Sequence, residues 1–199
     1  MMTVSLTGEC IGFNLNFVCI FVALCAIFFI EFKKKVLVLW VFFTIKPGRI
    51  AGVKYQIGNI GRVVVARFED KEDVIGNLSS LAKKEDIRAA VIYLVGGMRE
   101  GKIVVGPEKD EIPPTPVWTS LGECHEIVGF GTLFYQDNEP KVHLHAGFGK
   151  RDEVKVGCLR ENASTFLVLE AVMMELGGVN AVREFDPAVG VNLLNFRLK

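Results

Sequence analysis

The segment that decides the fold is residues 141–159, which read KVHLHAGFGKRDEVKVGCL. Two short stretches in it, residues 141–148 and 154–159, are bounded by glycine and charged residues, which is typical of β-strands. The polar run at residues 150–153 separates them. We therefore predict an antiparallel hairpin with a turn centred between Arg151 and Asp152.

Three side chains in this hairpin have the chemistry of a metal site. His143 and His145 are two residues apart, so both imidazoles project from the same face of a strand. The predicted turn places Cys158 directly opposite His145, with Cβ atoms about 4.5 to 5.5 Å apart. Two imidazoles and a thiolate are common zinc ligands and leave a fourth position for water. We predict that these three residues bind zinc or another divalent transition metal. A half-exposed polar strand face is the alternative interpretation.

A further histidine, His125, completes the set of three in the chain. Counting along the predicted hairpins places it several residues from His143. It is therefore expected to join the metal site only through strand curvature or from a neighbouring subunit. If the site is catalytic, Glu123 or Glu126 is a candidate proton carrier.

The rest of the domain is predicted to add one helix and several strands. A β-branched run at residues 61–68 precedes an acidic segment and an amphipathic helix over residues 73–89. Residues 164–176 suit either a strand or a helix, and we favour a strand because Gly177 and Gly178 close it. Residues 113–116, PPTP, favour a loop or an edge segment. Further strands are predicted at residues 90–95, 102–105, 117–121 and 126–135.

These motifs resemble the PPC family, the plant and prokaryote conserved domain. The resemblance is carried by residues 141–149 with residues 156–159, and it extends from Gly61 and Arg62 to the region of Glu170. It implies a single α+β domain with a mainly antiparallel sheet and one principal amphipathic helix. It also implies a homotrimer and, more remotely, the fold of the zinc-dependent acetolactate decarboxylases. Many family members have histidine where this chain has Cys158, so a shared metal site here would be His, His, Cys.

DNA binding is implied less directly by the same resemblance. Plant members join the domain to AT-hooks, whereas the prokaryotic type, which this chain resembles, lacks them. Residues 46–49, KPGR, lack the Arg-Gly-Arg core of such a hook. Lys plus Arg and Asp plus Glu both number 23, so no overall field attracts nucleic acid. DNA is therefore a possible partner only through a local patch.

The N-terminal region has a different composition. Residues 10–30 contain no charged side chain, and a lysine cluster follows at residues 33–35. This pattern predicts a membrane anchor with the following domain in the cytoplasm. The alternative is a mis-assigned start, with translation beginning at Val53. Residues 1–52 are thus an apolar extension and residues 53–199 the domain.

Three functions are compatible with these features. The first is a cytoplasmic homotrimeric metal-binding module with a DNA-binding or regulatory role, and we favour it over an enzyme. The second is a metal-dependent enzyme that acts on a small molecule. The third is a metal-free interaction scaffold. The cysteines, five in number and without a CxxC pair, do not form a disulfide framework.

Overall fold

The computed structural model describes residues 48–197, with side chains from residue 51 onward. The predicted membrane anchor at residues 10–30 lies outside this range. Within it, no helix combines the length and the hydropathy that a membrane span requires.

Most of the described chain is β-strand, in a largely antiparallel sheet, and residues 48–197 contain one α-helix. The elements, in chain order, are β1 Gly48–Ile50, β2 Val53–Tyr55, β3 Asn59–Glu69, α1 Val74–Lys84, β4 Ala89–Pro107, β5 Pro116–Leu121, β6 His125–Gln136, β7 Glu139–Lys150, β8 Glu153–Gly177, β9 Ala181–Asp186 and β10 Val191–Phe196.

Helix α1 begins where the sequence predicts. The side chain of Asp73 caps it by accepting a hydrogen bond from the Gly76 amide at 3.1 Å. Val74, Leu78 and Ala82 recur every four residues and are fully buried. This apolar face packs against β7 and β8.

The helix ends five residues earlier than predicted, at Lys84 rather than at residue 89. Asp86 adopts a left-handed backbone conformation with φ of 50°. The Ile87 amide then donates to the Ala82 carbonyl at 2.9 Å, and the Asp86 amide donates to the Lys83 carbonyl at 3.4 Å. These two bonds are those of a Schellman motif, which terminates a helix. Aspartate occupies the position where glycine usually signals the end.

Two long strands join segments that the sequence predicts as separate. Strand β4 spans the predicted strands at residues 90–95 and 102–105, and β8 spans those at 154–159 and 164–176. The strand interpretation of residues 164–176 is confirmed, and β8 ends at Gly177. Four register shifts along the β4–β8 pairing interrupt the ladder. Bulges of this kind bend a strand while its hydrogen bonding continues.

The pairings β4–β6, β6–β7, β7–β8 and β8–β4 form a closed circuit. The sheet therefore folds back on itself and has an inner and an outer face. Leu94, Ile127, Leu144, Phe148 and Leu169 belong to one buried cluster that also includes the apolar face of α1.

The C-terminal hairpin of β9 and β10 is absent from the sequence predictions. It joins the sheet through one parallel bridge, between Tyr135 of β6 and Val182 of β9. A small second cluster of Ala89, Phe134 and Ala181 packs beneath it. The proline-rich residues 113–115 lie outside the strands, as expected, and Pro116 begins β5.

Candidate metal centre

The alternation of side chains along β7 positions the two histidines. Leu144, Ala146 and Phe148 are buried and face the core. His143 and His145 therefore lie on the outer face of the sheet. The core residues between and beyond them hold the strand in this register, because a one-residue slip would turn every side chain to the other face.

The hairpin register brings the cysteine to the histidines. Lys150 pairs with Glu153 across a two-residue turn, and Arg151 takes a φ of 54°. This turn sets His145 directly opposite Cys158. The predicted turn and the predicted pairing are both confirmed.

The potential ligand atoms of His143, His145 and Cys158 all lie within 4.8 Å of one another. The two Nε2 atoms are 3.2 Å apart, and the rings meet edge to face at 80°. Two nitrogens on a tetrahedral zinc ion, each at about 2.0 to 2.1 Å, would be separated by about 3.3 Å. The donor set and its spacing therefore fit a tetrahedral metal, with one position left open by these three residues.

The surroundings of His143 disfavour a proton on its imidazole. Burial, the positive charge of Arg183, His145 and the charge of Arg160 together lower its pKa to about 4. The imidazole is consequently neutral at physiological pH. Its lone pair is available to a metal ion, which requires neutral histidine.

Cys158 is 4% exposed although it lies on the outer face. Burial raises the pKa of its thiol, against the opposing effects of Arg160, Arg183 and a hydrogen bond from the Leu144 backbone. The net result is a protonated thiol at neutral pH. A bound metal would therefore have to displace this proton to gain a thiolate ligand.

Two arginines beside the site were not predicted. Arg160 is two residues after Cys158 on β8, and Arg183 is on β9, where its Nη2 donates to Thr132 Oγ1 at 3.1 Å. Thr132 is the cross-strand partner of His143. The two arginines and His143 line a cavity of about 160 Å³, together with Gln136, Lys141 and Asn192.

His125 does not join this group within the chain. It begins β6, five residues before Phe130, which is the cross-strand partner of His145. At about 3.4 Å per residue this is a separation of about 17 Å. Its Nδ1 lies 2.6 Å from the Glu123 carbonyl, and burial lowers its pKa. A contribution from a neighbouring subunit stays a prediction.

The two candidate proton carriers lie at the same distant end of β6. Glu126 pairs with Gly149, and Glu123 forms an ion pair with Lys150. Neither carboxylate is brought to the histidines within one chain.

Residues 55–177 match the family model of the Plants and Prokaryotes Conserved (PCC) domain. The chain belongs to this family. The match covers every strand that supplies His143, His145 and Cys158, and it ends before β9, which supplies Arg183.

Solved structures with the PCC fold include two from archaea. The metal-containing protein from Archaeoglobus fulgidus is 26% identical, with a TM-score of 0.64 over 72% of this chain and 99% of that one. A plant- and prokaryote-conserved protein from Pyrococcus horikoshii is also 26% identical, with a TM-score of 0.62 over 70% of this chain and 94% of that one.

A more distant neighbour is a candidate DNA-binding protein from Ralstonia eutropha. It is 17% identical, with a TM-score of 0.58 over 67% of this chain and 90% of that one, and this likeness shows the fold alone. A search of curated proteins finds no match.

Proposed function

We propose that this PCC-domain chain is a homotrimeric metal-binding module whose ion, zinc or another divalent transition metal, is held by His143, His145 and Cys158. The observation that carries the proposal is the convergence of these three donors within 4.8 Å. The metal would have a structural or sensory role, in a protein of the cytoplasm. The archaeal neighbour described as metal-containing supports a metal on this fold.

Trimer formation is supported by an exposed apolar surface. The outer faces of β4 and β6 carry Tyr93, Val95, Val128 and Phe130, which we call the apolar patch, and all four side chains are exposed. Tyr93 pairs with Phe130 and Val95 with Val128 across the two strands. Contiguous exposed apolar side chains of this kind mark interaction surfaces. Phe130 also pairs with His145, so the metal centre borders the patch.

The metal proposal is tested by measuring the metal content of the purified chain by inductively coupled plasma mass spectrometry. We expect near-stoichiometric zinc or iron in the wild type. His143→Ala and Cys158→Ser should each lose most of it, because two ligands remain and a tetrahedral site needs at least three from the protein.

Two matched variants make this experiment specific. Cys124→Ser removes a half-buried free thiol outside the cluster and should retain the metal. His125→Ala should also retain it unless a neighbouring subunit contributes this histidine. Metal-free wild-type protein would instead favour the interaction scaffold. Equal loss in Cys124→Ser would show that the assay reports general thiol binding.

An enzyme is a second candidate, and the open fourth position with the adjoining cavity favours it. A bound divalent metal could polarise a carbonyl or activate water there. The family resemblance of the sequence implies, more remotely, the fold of the acetolactate decarboxylases, and this fold-level analogy points in the same direction. Among the chain's own residues, Arg160 and Arg183 would hold and orient a negatively charged substrate. Turnover of a panel of short oxo- and hydroxy-carboxylates, lost in His143→Ala, would support this candidate over the module.

DNA binding is the remaining candidate role. It is favoured by the local cluster of Lys141, Arg160 and Arg183. An electrophoretic shift assay with a salt titration tests it. Phosphate contacts require an affinity that falls steeply as salt rises. The absence of a salt-sensitive complex would remove DNA from the proposal.

A further inference from the structure

The cavity beside His143 is lined by three cationic side chains. Lys141 lies two residues before His143 on the outer face of β7, Arg160 follows Cys158 on β8, and Arg183 reaches in from β9. Gln136 and Asn192 add neutral amides, and Gln136 Nε2 donates to Asn192 Oδ1 at 3.3 Å. No carboxylate belongs to the lining.

The three cations of this cavity are not held in ion pairs within the described part of the chain. Within residues 48–197, the ion pairs involve other cations, and none includes Lys141, Arg160 or Arg183. Arg183 is partly buried, and its Nε is a buried donor without a hydrogen-bond partner in the same range. Burial and the nearby charge of Arg160 lower the pKa of Arg183. Buried donors and charges without partners are costly, so a ligand that satisfied them would be stabilising.

A second cavity, of about 330 Å³, shows the contrast. It is lined by Lys102, Trp118, Ser120 and Glu161, and there the lysine pairs with the glutamate at 3.4 Å. Its lining is neutral overall and leaves no cation for an anionic ligand. The smaller cavity is therefore the better candidate for charge recognition.

The dimensions of the basic cavity limit the ligand. Pockets for drug-sized molecules measure about 300 to 1,000 Å³, whereas this one has about 160 Å³. The ligand is thus a small molecule. Guanidinium groups match carboxylate and phosphate oxygens with two parallel hydrogen bonds.

We infer that Arg160, Arg183 and Lys141 form a binding site for a small organic anion, a short carboxylate or a phosphate ester, beside His143. The site goes beyond the proposed metal function and does not require a metal. Arg183 and Asn192 belong to β9 and β10, which lie beyond the residues that match the family model. The cavity is therefore completed by a hairpin that lies outside residues 55–177.

The test is isothermal titration calorimetry of the full chain with malonate and, separately, with inorganic phosphate, in a low-salt buffer that contains neither anion. Arg160→Gln and Lys141→Gln each remove one cation from an exposed position and leave the core intact. Arg67→Gln removes one exposed cation from β3, away from the cavity, and controls for net charge. Each titration is run on metal-free and on zinc-loaded protein.

We expect saturable binding to the wild type and to Arg67→Gln, weakened about tenfold or more in the two cavity variants, because each removes a charge-assisted hydrogen bond. Binding of malonate alone assigns a carboxylate ligand, and binding of phosphate alone assigns a phosphate ester. Anion binding to metal-free protein would stand even if no metal site existed. No saturable binding of either anion, or equal weakening in Arg67→Gln, overturns the inference. Binding of a short DNA duplex but of neither anion also overturns it.

Discussion

At the scale of single residues, His143 has a neutral imidazole because burial, and after it the charge of its neighbours, opposes a proton on the ring. Arg183 reaches it from β9 through Thr132, Arg160 lies on β8, and His145 is its neighbour on β7. The same cations that oppose a proton also raise the cost of a bound divalent ion. The thiolate of Cys158 would offset that charge, which gives the cysteine an electrostatic role beside its role as a donor.

His143 makes the stability of the metal-free protein depend on pH. Its pKa is about 4 in the folded chain and about 6.5 when unperturbed, so the unfolded chain binds the extra proton between these values. The free energy of unfolding should therefore fall as pH drops from about 6.5 to about 4. Urea unfolding in the presence of a chelator, compared between wild type and His143→Gln, measures this contribution. Parallel pH profiles for the two proteins would contradict it.

Cys158 makes metal affinity depend on pH in a different range. Because its raised pKa leaves the thiol protonated at neutral pH, binding should release one proton from this residue. The zinc association constant should rise about tenfold per pH unit below the thiol pKa. Competition titration with a zinc chelator between pH 7 and 8.5 measures the slope. Cys158→Ser should lower both the affinity and the slope, and an unchanged slope would show that the proton comes from another group.

The sequence was sufficient to predict that His143, His145 and Cys158 lie together, but not which cations lie beside them. The spacing of His143 and His145 and the short turn at Arg151 depend only on local strand geometry. Arg183 is 40 residues after His143 in the chain. Its approach to His143 depends on how the hairpin of β9 and β10 joins β6. No local pattern encodes that contact. The sequence shows only an arginine near the C-terminus, and arginines are common on protein surfaces.

At the scale of elements, α1 contributes to stability through one buried face. Leu78 is fully buried at its centre, in the helix that packs against β7 and β8. Leu78→Ala should reduce the free energy of unfolding by about 2 to 5 kcal/mol, through lost burial and the cavity left behind. Urea denaturation followed by circular dichroism measures it. Lys84→Ala, on the exposed last turn, should change stability by less than about 0.5 kcal/mol. Similar losses in both would show that the helix face is not the cause.

The contact between β6 and β7 beside His143 depends on the absence of a side chain at Gly131. A Cβ atom there would lie 2.8 Å from Leu144 Cδ1 and 2.9 Å from the His143 carbonyl oxygen. Gly131→Ala should therefore force the strands apart, cost about 1 to 3 kcal/mol and weaken zinc binding. Gly149→Ala, in the same strand pair, meets no atom within 4 Å. Thermal unfolding and zinc titration of both variants make the comparison, and an equal effect would exclude the steric cause.

The elements that sequence analysis placed well are those with local signals. Asp73 marks the helix start, and Gly177 marks the end of β8. The errors fall where the residue type gives no reliable signal for the backbone conformation. The unusual φ of Asp86 ends the helix early, and bulges allow β4 and β8 to continue through positions where glycine and charge suggested a break. A bulge is stabilised by the neighbouring strands, so it has no reliable signature in one segment.

At the scale of the whole molecule, the neutral net charge and the apolar patch favour association between copies. The patch presents four exposed apolar side chains on the outer face of a closed circuit of strands, where the core of the same subunit cannot cover them. Val128 is the most exposed of the four, at 71%. A charge at its position would have to be buried without a partner in an interface, which is strongly unfavourable.

Val128→Glu should therefore convert the trimer to monomers. Sedimentation velocity of the wild type should give a mass near three times the 22.0 kDa of the chain, and the variant should sediment near one chain mass. Ile57→Glu is the matched control, because Ile57 is also an exposed apolar residue but lies between β2 and β3, outside the patch. A monomeric wild type would remove the trimer from the proposed function. A trimer that persists in Val128→Glu would place the interface on another surface. The interface would then not lie beside His145 and the candidate metal centre.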